Sequence, residues 1–185
     1  MRLAPTPGQT VGPFFHYALP YDGDRDLVAP GTPGAIRLTG TVTDGSGTPV
    51  PDALIEIWQP DAHGNPVQEQ GSLRRDGHSF TGFGRSSTDR SGRYTFTTLR
   101  PGALGDDRAA YVAVVVLARG LLHRLMTRCY LPGPAIDDDP FLVGVDPGRR
   151  DTLVAREDEH GLVFDICLQG AGETVFLADP AHSPA

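Results

Sequence analysis

Residues 111–117 read YVAVVVL, an unbroken run of apolar and mostly β-branched side chains. Branching at Cβ disfavours a helix and suits a pleated surface, so the run predicts a strand. With no polar residue at alternate positions, it predicts a strand buried on both faces. Ala118, Arg119 and Gly120 follow, and then LLHRLMTRCYL at 121–131, which the Arg119-Gly120 turn folds back as an antiparallel neighbour.

Upstream of this pair the same texture recurs. AIRLTGTVT at 35–43 alternates apolar and polar residues, DGSGTPV at 44–50 has turn chemistry, and ALIEIWQ at 53–59 resumes as a strand, so these two runs predict a pair. Residues 84–88 and 93–99 flank the turn DRSG and predict a hairpin. Downstream, LVFDICL at 162–168 and TVFL at 174–177, separated by QGAGE, predict a closing hairpin, and GRRDTLVAR at 148–156 predicts one short helix. The chain therefore reads as all-β, a two-sheet β-sandwich of about eight strands with one short helix. Residues 1–33, dense in Pro and Gly yet holding Val11, Phe14, Phe15, Tyr17 and Leu19, read as an N-terminal arm packed on another surface, and residues 34–185 as the sandwich.

Composition narrows the function. Gly 23 and Pro 17 in 185 residues suit many short strands joined by turns. The formal net charge of -7, with no run of Lys or Arg, argues against nucleic acid. The N-terminus lacks the apolar core of a signal peptide and no stretch reaches the roughly 20 apolar residues of a membrane span, so a cytoplasmic protein is expected. Cys129 and Cys167 have no CxxC companion and read as buried reduced thiols.

Inside the chain little announces chemistry. The histidines at 16, 63, 78, 123, 160 and 182 show no close spacing of a metal site. There is no GxSxG, no GxGxxG and no phosphate-loop lysine. Arg119 interrupts the apolar stretch VVVLARGLL, and its guanidinium is either paired within the chain or aimed at an acidic ligand.

Five segments taken together resemble the intradiol ring-cleaving dioxygenases: TPGQTVGPFFH at 6–16, ALIEIWQPDAHG at 53–64, FGRSSTDRSGRYTFTTLRPG at 83–102, LARGLLHRLMTRCYL at 117–131 and FDICLQGAGETVF at 164–176. The resemblance runs from about residue 5 to residue 179, with the motifs in family order. It implies a β-sandwich and, in members built of two related chains, a β chain that binds Fe(III) through two tyrosines and two histidines. At those four positions this chain has Pro66, Leu104, Tyr111 and Ala113, which resembles the α type of chain, without a metal of its own. The resemblance then implies a β-chain partner carrying the Fe(III), with protocatechuate (3,4-dihydroxybenzoate) and O2 meeting at a shared site in a large symmetric assembly of α/β units. Carried over by position, the substrate-binding residues are Arg119, Thr10, Gly12, Pro13 and Phe14, none of them catalytic in this chain alone. Phe14 stands where the family often has Tyr, so the wall is kept and a hydroxyl is lost. The alternative is a metal-free β-sandwich scaffold or binding module that retains only the fold.

Overall fold

A computed structural model describes residues 15–67, 75–76 and 79–178. They form nine strands: β1 Ala35–Thr43, β2 Leu54–Trp58, β3 Phe83–Ser87, β4 Arg93–Leu99, β5 Tyr111–Leu117, β6 Leu125–Tyr130, β7 Arg156–Asp158, β8 Gly161–Val163 and β9 Ile166–Cys167. One sheet has the order β4-β1-β8-β7, with β9 pairing β1 beyond β8, and the other has the order β3-β2-β5-β6. The two-sheet, all-β expectation holds. No helix among the described residues is long and apolar enough to cross a membrane.

The core lies between the sheets and is built by alternation. Leu38 and Val42 of β1, Ile55 and Ile57 of β2, Tyr94 and Phe96 of β4, and Val112, Val114 and Val116 of β5 all point into one cluster, each at most 3% exposed. At roughly 25 cal/mol per Å² of apolar surface removed from water, this shared layer is what drives the two sheets together. In β1 the approach is close enough to exclude a side chain. A Cβ on Gly40 would lie 1.8 Å from the Phe164 carbonyl oxygen, where the chain leaves β8 for β9 and both run parallel to β1.

Several local expectations are corrected. β1 and β2 are not partners: β1 pairs antiparallel with β4, while β2 pairs with β3 and β5. β3 and β4 likewise fall in different sheets, so the DRSG turn crosses the sandwich instead of closing a hairpin. Turn residues specify a reversal, held here by the Asp89 carboxylate accepting the Ser91 and Arg93 N–H groups, but they do not choose the sheet that receives the next strand. Residues 174–177 form no strand, although Leu177 N–H donates to the Met126 carbonyl. The expected helix at 148–156 is a 3-10 helix at Pro147–Leu153, and two four-residue helices, α1 Phe15–Ala18 and α2 Pro140–Val143, were not expected.

β5 departs from its expected burial in a way that matters for function. Val112, Val114 and Val116 are fully covered, but Tyr111, Ala113, Val115 and Leu117 on the other face are only partly so. That second face is the outside of the β3-β2-β5-β6 sheet. On β5 it is apolar, with Trp58 beside Ala113 and Met126 beside Val115 in register, while Glu56, Arg85 and Arg128 stand on the same face in the neighbouring strands. Part of it is covered by the segment before β1. Arg85, paired with Glu56 at 2.5 Å, donates to the Leu19 carbonyl, and Leu27 is buried in the main core.

Candidate functional site

On this outer face a cavity of about 300 Å³ opens at the end where β2 finishes and β5 begins. Trp58, Gln59 and Pro60 come from the end of β2, Pro66 and Val67 from the following loop, Leu104 from the loop after β4, and Tyr111 and Ala113 from β5. The Trp58 ring leans on Phe83 at 5.1 Å between centroids and is 49% exposed. Gln59 is buried, and its amide is spent on the sandwich: it donates to the Leu99 carbonyl and accepts from the Thr98 hydroxyl. The lining is therefore mostly apolar, and the Tyr111 hydroxyl makes no hydrogen bond among the described residues.

Tyr111 is held by a stack beneath it. The Arg128 guanidinium lies 4.5 Å from the Tyr111 ring centre and 4.6 Å from that of Phe141, and it donates to the Tyr130 hydroxyl at 2.9 Å. Burial raises the Tyr130 phenol above its ordinary value, and the Arg128 charge opposes part of that rise. Asp139 anchors the arrangement. Almost fully buried, it accepts from Ala109 N–H with Oδ2, and from Phe141 N–H, Leu142 N–H and the Tyr130 hydroxyl with Oδ1. One carboxylate thus caps α2 and fixes the approach to β5.

The fold brings together the four positions that the resemblance singled out. Pro66, Leu104, Tyr111 and Ala113 all line this one cavity. They offer a single phenol oxygen, whereas ferric ion requires several hard anionic or imidazole donors, so this set does not fit the metal. Among the described residues no three His, Cys, Asp or Glu side chains stand close enough to hold a metal ion.

Arg119 is elsewhere. β5 runs away from the cavity, and its last four steps alone carry the chain roughly 13 Å from Ala113 to Leu117, with Arg119 in the turn beyond. There it forms an ion pair with Asp52, a residue in the left-handed region at φ 61°. With side chains 58% and 36% exposed, this is a surface pair worth about 0–1 kcal/mol, and most of the guanidinium still faces solvent. Both sequence readings of Arg119 therefore survive, because a surface pair does not exclude an outside anion. Thr10, Gly12, Pro13 and Phe14 lie outside the described residues. Sequence reasoning passed over Trp58 as a site residue, Asp52 as the partner of Arg119, and Asp139. Only Asp139 left a sequence signal, as an Asp directly before Pro140, where a helix N-cap is expected.

Comparison with known proteins defines the class. A family model described as Dioxygenase matches residues 11–170, and this chain belongs to that family, the intradiol ring-cleaving dioxygenases. Among individual relatives it is 37% identical to the protocatechuate 3,4-dioxygenase alpha chain of Burkholderia cepacia, over 95% of this chain and 98% of that one. It is also 35% identical to the beta chain from the same organism, over 94% of this chain and 80% of the other. Among solved structures, the dioxygenase domain of a dioxygenase carbohydrate-binding protein fusion from Streptomyces sp. SirexAA-E superposes with a TM-score of 0.60 at 29% identity. That match covers 91% of this chain and all of the other.

Proposed function

We propose that this chain is the α-type subunit of a protocatechuate 3,4-dioxygenase, contributing without its own iron to the cleavage of 3,4-dihydroxybenzoate by O2 to 3-carboxy-cis,cis-muconate. Identity alone barely separates the α reading from the β reading, at 37% against 35%. The observation that carries the choice is the donor set: the positions that converge on one cavity are Pro66, Leu104, Tyr111 and Ala113, and one phenol is no ferric site. The nearly complete overlap with the alpha chain, against 80% of the beta chain, agrees.

On this reading the partner β chain holds the Fe(III), which activates the catechol toward O2. The arm, residues 1–33, reaches that partner with its first part, while from Leu19 it lies on this chain's own sheets and at Leu27 enters its core. Thr10, Gly12, Pro13 and Phe14 close one wall of the partner's substrate pocket. Arg119 receives the substrate carboxylate, with Asp52 holding the guanidinium in place until the anion arrives. The apolar outer face around β5 is the surface expected to be buried between the two chains in a larger, cytoplasmic assembly.

The test is co-expression with an iron-bearing β-type chain and assay of the assembled protein. A guanidinium–carboxylate hydrogen bond is worth about 1.5–3 kcal/mol, so Arg119→Ala should lower kcat/KM for 3,4-dihydroxybenzoate about 10- to 150-fold. The loss should fall mainly on KM and spare catechol, which has no carboxylate. Unchanged turnover by the Arg119→Ala assembly would leave the chain a scaffold.

A further inference from the structure

We propose that the outer face of the β4-β1 pair carries a binding site for a small hydroxylated phosphate monoester, its phosphate seated between Arg37 and Arg93. This face belongs to the other sheet from the Trp58 cavity, and the inference does not rest on the subunit reading above. Alternation turns Arg37 and Thr39 of β1, and Arg93, Thr95 and Thr97 of β4, away from the core. Antiparallel pairing sets Thr39 beside Thr95 and Arg37 beside Thr97. Three remote segments build walls around this floor. Residues 25–27 run along the free edge of β4, where Thr97 N–H donates to the Arg25 carbonyl and Leu27 N–H to the Thr97 carbonyl. The end of β3 adds Ser87 and Ser86, with the Ser86 hydroxyl oxygen accepting from Thr95 N–H. The turn between β7 and β8 adds Asp158 and His160, and Arg37 N–H donates to the His160 carbonyl. The hollow between them measures about 620 Å³, inside the roughly 300–1,000 Å³ of small-molecule sites.

Arg25, Arg37 and Arg93 all line this hollow, and among the described residues none of their guanidinium groups makes a hydrogen bond or an ion pair. Elsewhere exposed arginines do find carboxylates: Arg100 pairs with Glu157, Arg119 with Asp52 and Arg156 with Asp165. Here Asp26, Asp89 and Asp158 line the same space, so the formal charges balance, yet no pair closes. Two of these carboxylates are tied to their own turns. Asp89 accepts from the Ser91 and Arg93 N–H groups, and Asp158 from those of His160 and Gly161. Backbone geometry thus fixes both anions and leaves the guanidinium donors open. Arg37 and Arg93 each stand two residues, about 7 Å, from the Thr39–Thr95 pair along their own strands, on opposite sides of it. A phosphate over that pair is within reach of both planar forks. Three open guanidinium groups suit a group with three strong acceptor oxygens and nearly two negative charges, which a carboxylate lacks. The space beyond holds Asp26, Ser87 and Thr97, partners for the hydroxyl groups of the ligand's remainder.

The probes are inorganic phosphate and glycerol 3-phosphate, measured by equilibrium dialysis at low salt against the assembled α/β protein. Both should bind saturably, glycerol 3-phosphate more tightly. Arg37→Gln and Arg93→Gln should each weaken one site at least about tenfold, the effect of removing a charged hydrogen-bond donor. Arg90→Gln removes an exposed cation that does not line the hollow and should change nothing, which separates a built site from diffuse charge. All three arginines are exposed, so the variants should keep the parent's Tm and a loss of binding is not a loss of fold. The inference is overturned by the absence of saturable binding in the assembly, including the case of a neighbouring chain covering this face. It is overturned equally if the Arg37 and Arg93 variants bind like the parent, or if Arg90→Gln weakens binding as much as they do. If no iron-bearing partner assembles with this chain, the subunit reading fails, and the same dialysis on the full chain alone decides this one.

Discussion

Asp139 is the residue on which the cavity's shape depends, and Asp139→Asn isolates its role. The Asn side chain is nearly isosteric, and if its oxygen takes the Oδ1 position it still accepts from Phe141 N–H and Leu142 N–H. Its NH2 group then replaces Oδ2 and faces the Ala109 N–H, donor against donor, at a contact now 3.0 Å long. Flipping the amide only moves the conflict to the cap of α2. At least one N–H is left without a partner in either case, Ala109 in the first and both Phe141 and Leu142 in the second, and the lost bond is to a charged acceptor, which together cost about 1.5–3 kcal/mol for the less costly arrangement. For a chain of this size each kcal/mol lowers Tm by roughly 2–4 °C, so a drop of about 3–12 °C is expected. Asp139→Ala removes every acceptor and should fall further. Thermal unfolding followed by circular dichroism on the same preparation reads both variants. A Tm for Asp139→Asn within about 1 °C of the parent, or an Ala variant more stable than the Asn variant, would refute the claim that this carboxylate ties α2 to the start of β5.

The remaining predictions concern single groups. Cys129 is fully buried and burial pushes its thiol far above the ordinary value, while Cys167 is partly exposed. Titration with a chromogenic disulfide should therefore label one thiol in the native protein and the second only on unfolding, and two fast equivalents would contradict the packing. The Asp89 carboxyl lies below its ordinary value because it accepts first from the Ser91 hydroxyl and then from the Arg93 and Ser91 N–H groups. A depressed acid stabilises the fold above its unfolded value near ~3.9 and loses that contribution as pH falls through the folded value. The Tm advantage over Asp89→Asn should be constant from about pH 5 to 7 and vanish in stronger acid; a gap independent of pH would count against this.

Much of the architecture was legible because local patterns carried it. The alternation in AIRLTGTVT and RYTFTTL specifies half-buried strands, and these appear as β1 and β4 with the same bounds that the sequence suggested. The all-β class and the two-layer arrangement followed from the same texture, but the strand inventory did not: the run at 162–168 is split into β8 and β9, 174–177 is no strand and β7 was not expected. Strand pairing did not follow, since β2 finds β5 across more than fifty residues by matching buried faces, and no turn encodes that choice. YVAVVVL misled for a related reason: an outer face that is apolar for a cavity or a neighbour reads like one buried within its own chain.

For the site, residue types alone were mute. A proline, a leucine, a tyrosine and an alanine spread over residues 66–113 carry no spacing signal, and only the family resemblance marked them. What the sequence by itself determined was an all-β sandwich, because the alternation that specifies half-buried strands is a local property of the chain. What only the tertiary structure decided was that Pro66, Leu104, Tyr111 and Ala113 share one cavity with Trp58, and that Arg119 stands at the far end of β5 beside Asp52. Proximity between distant residues is set by the packing of two sheets, and that is a property of the whole chain.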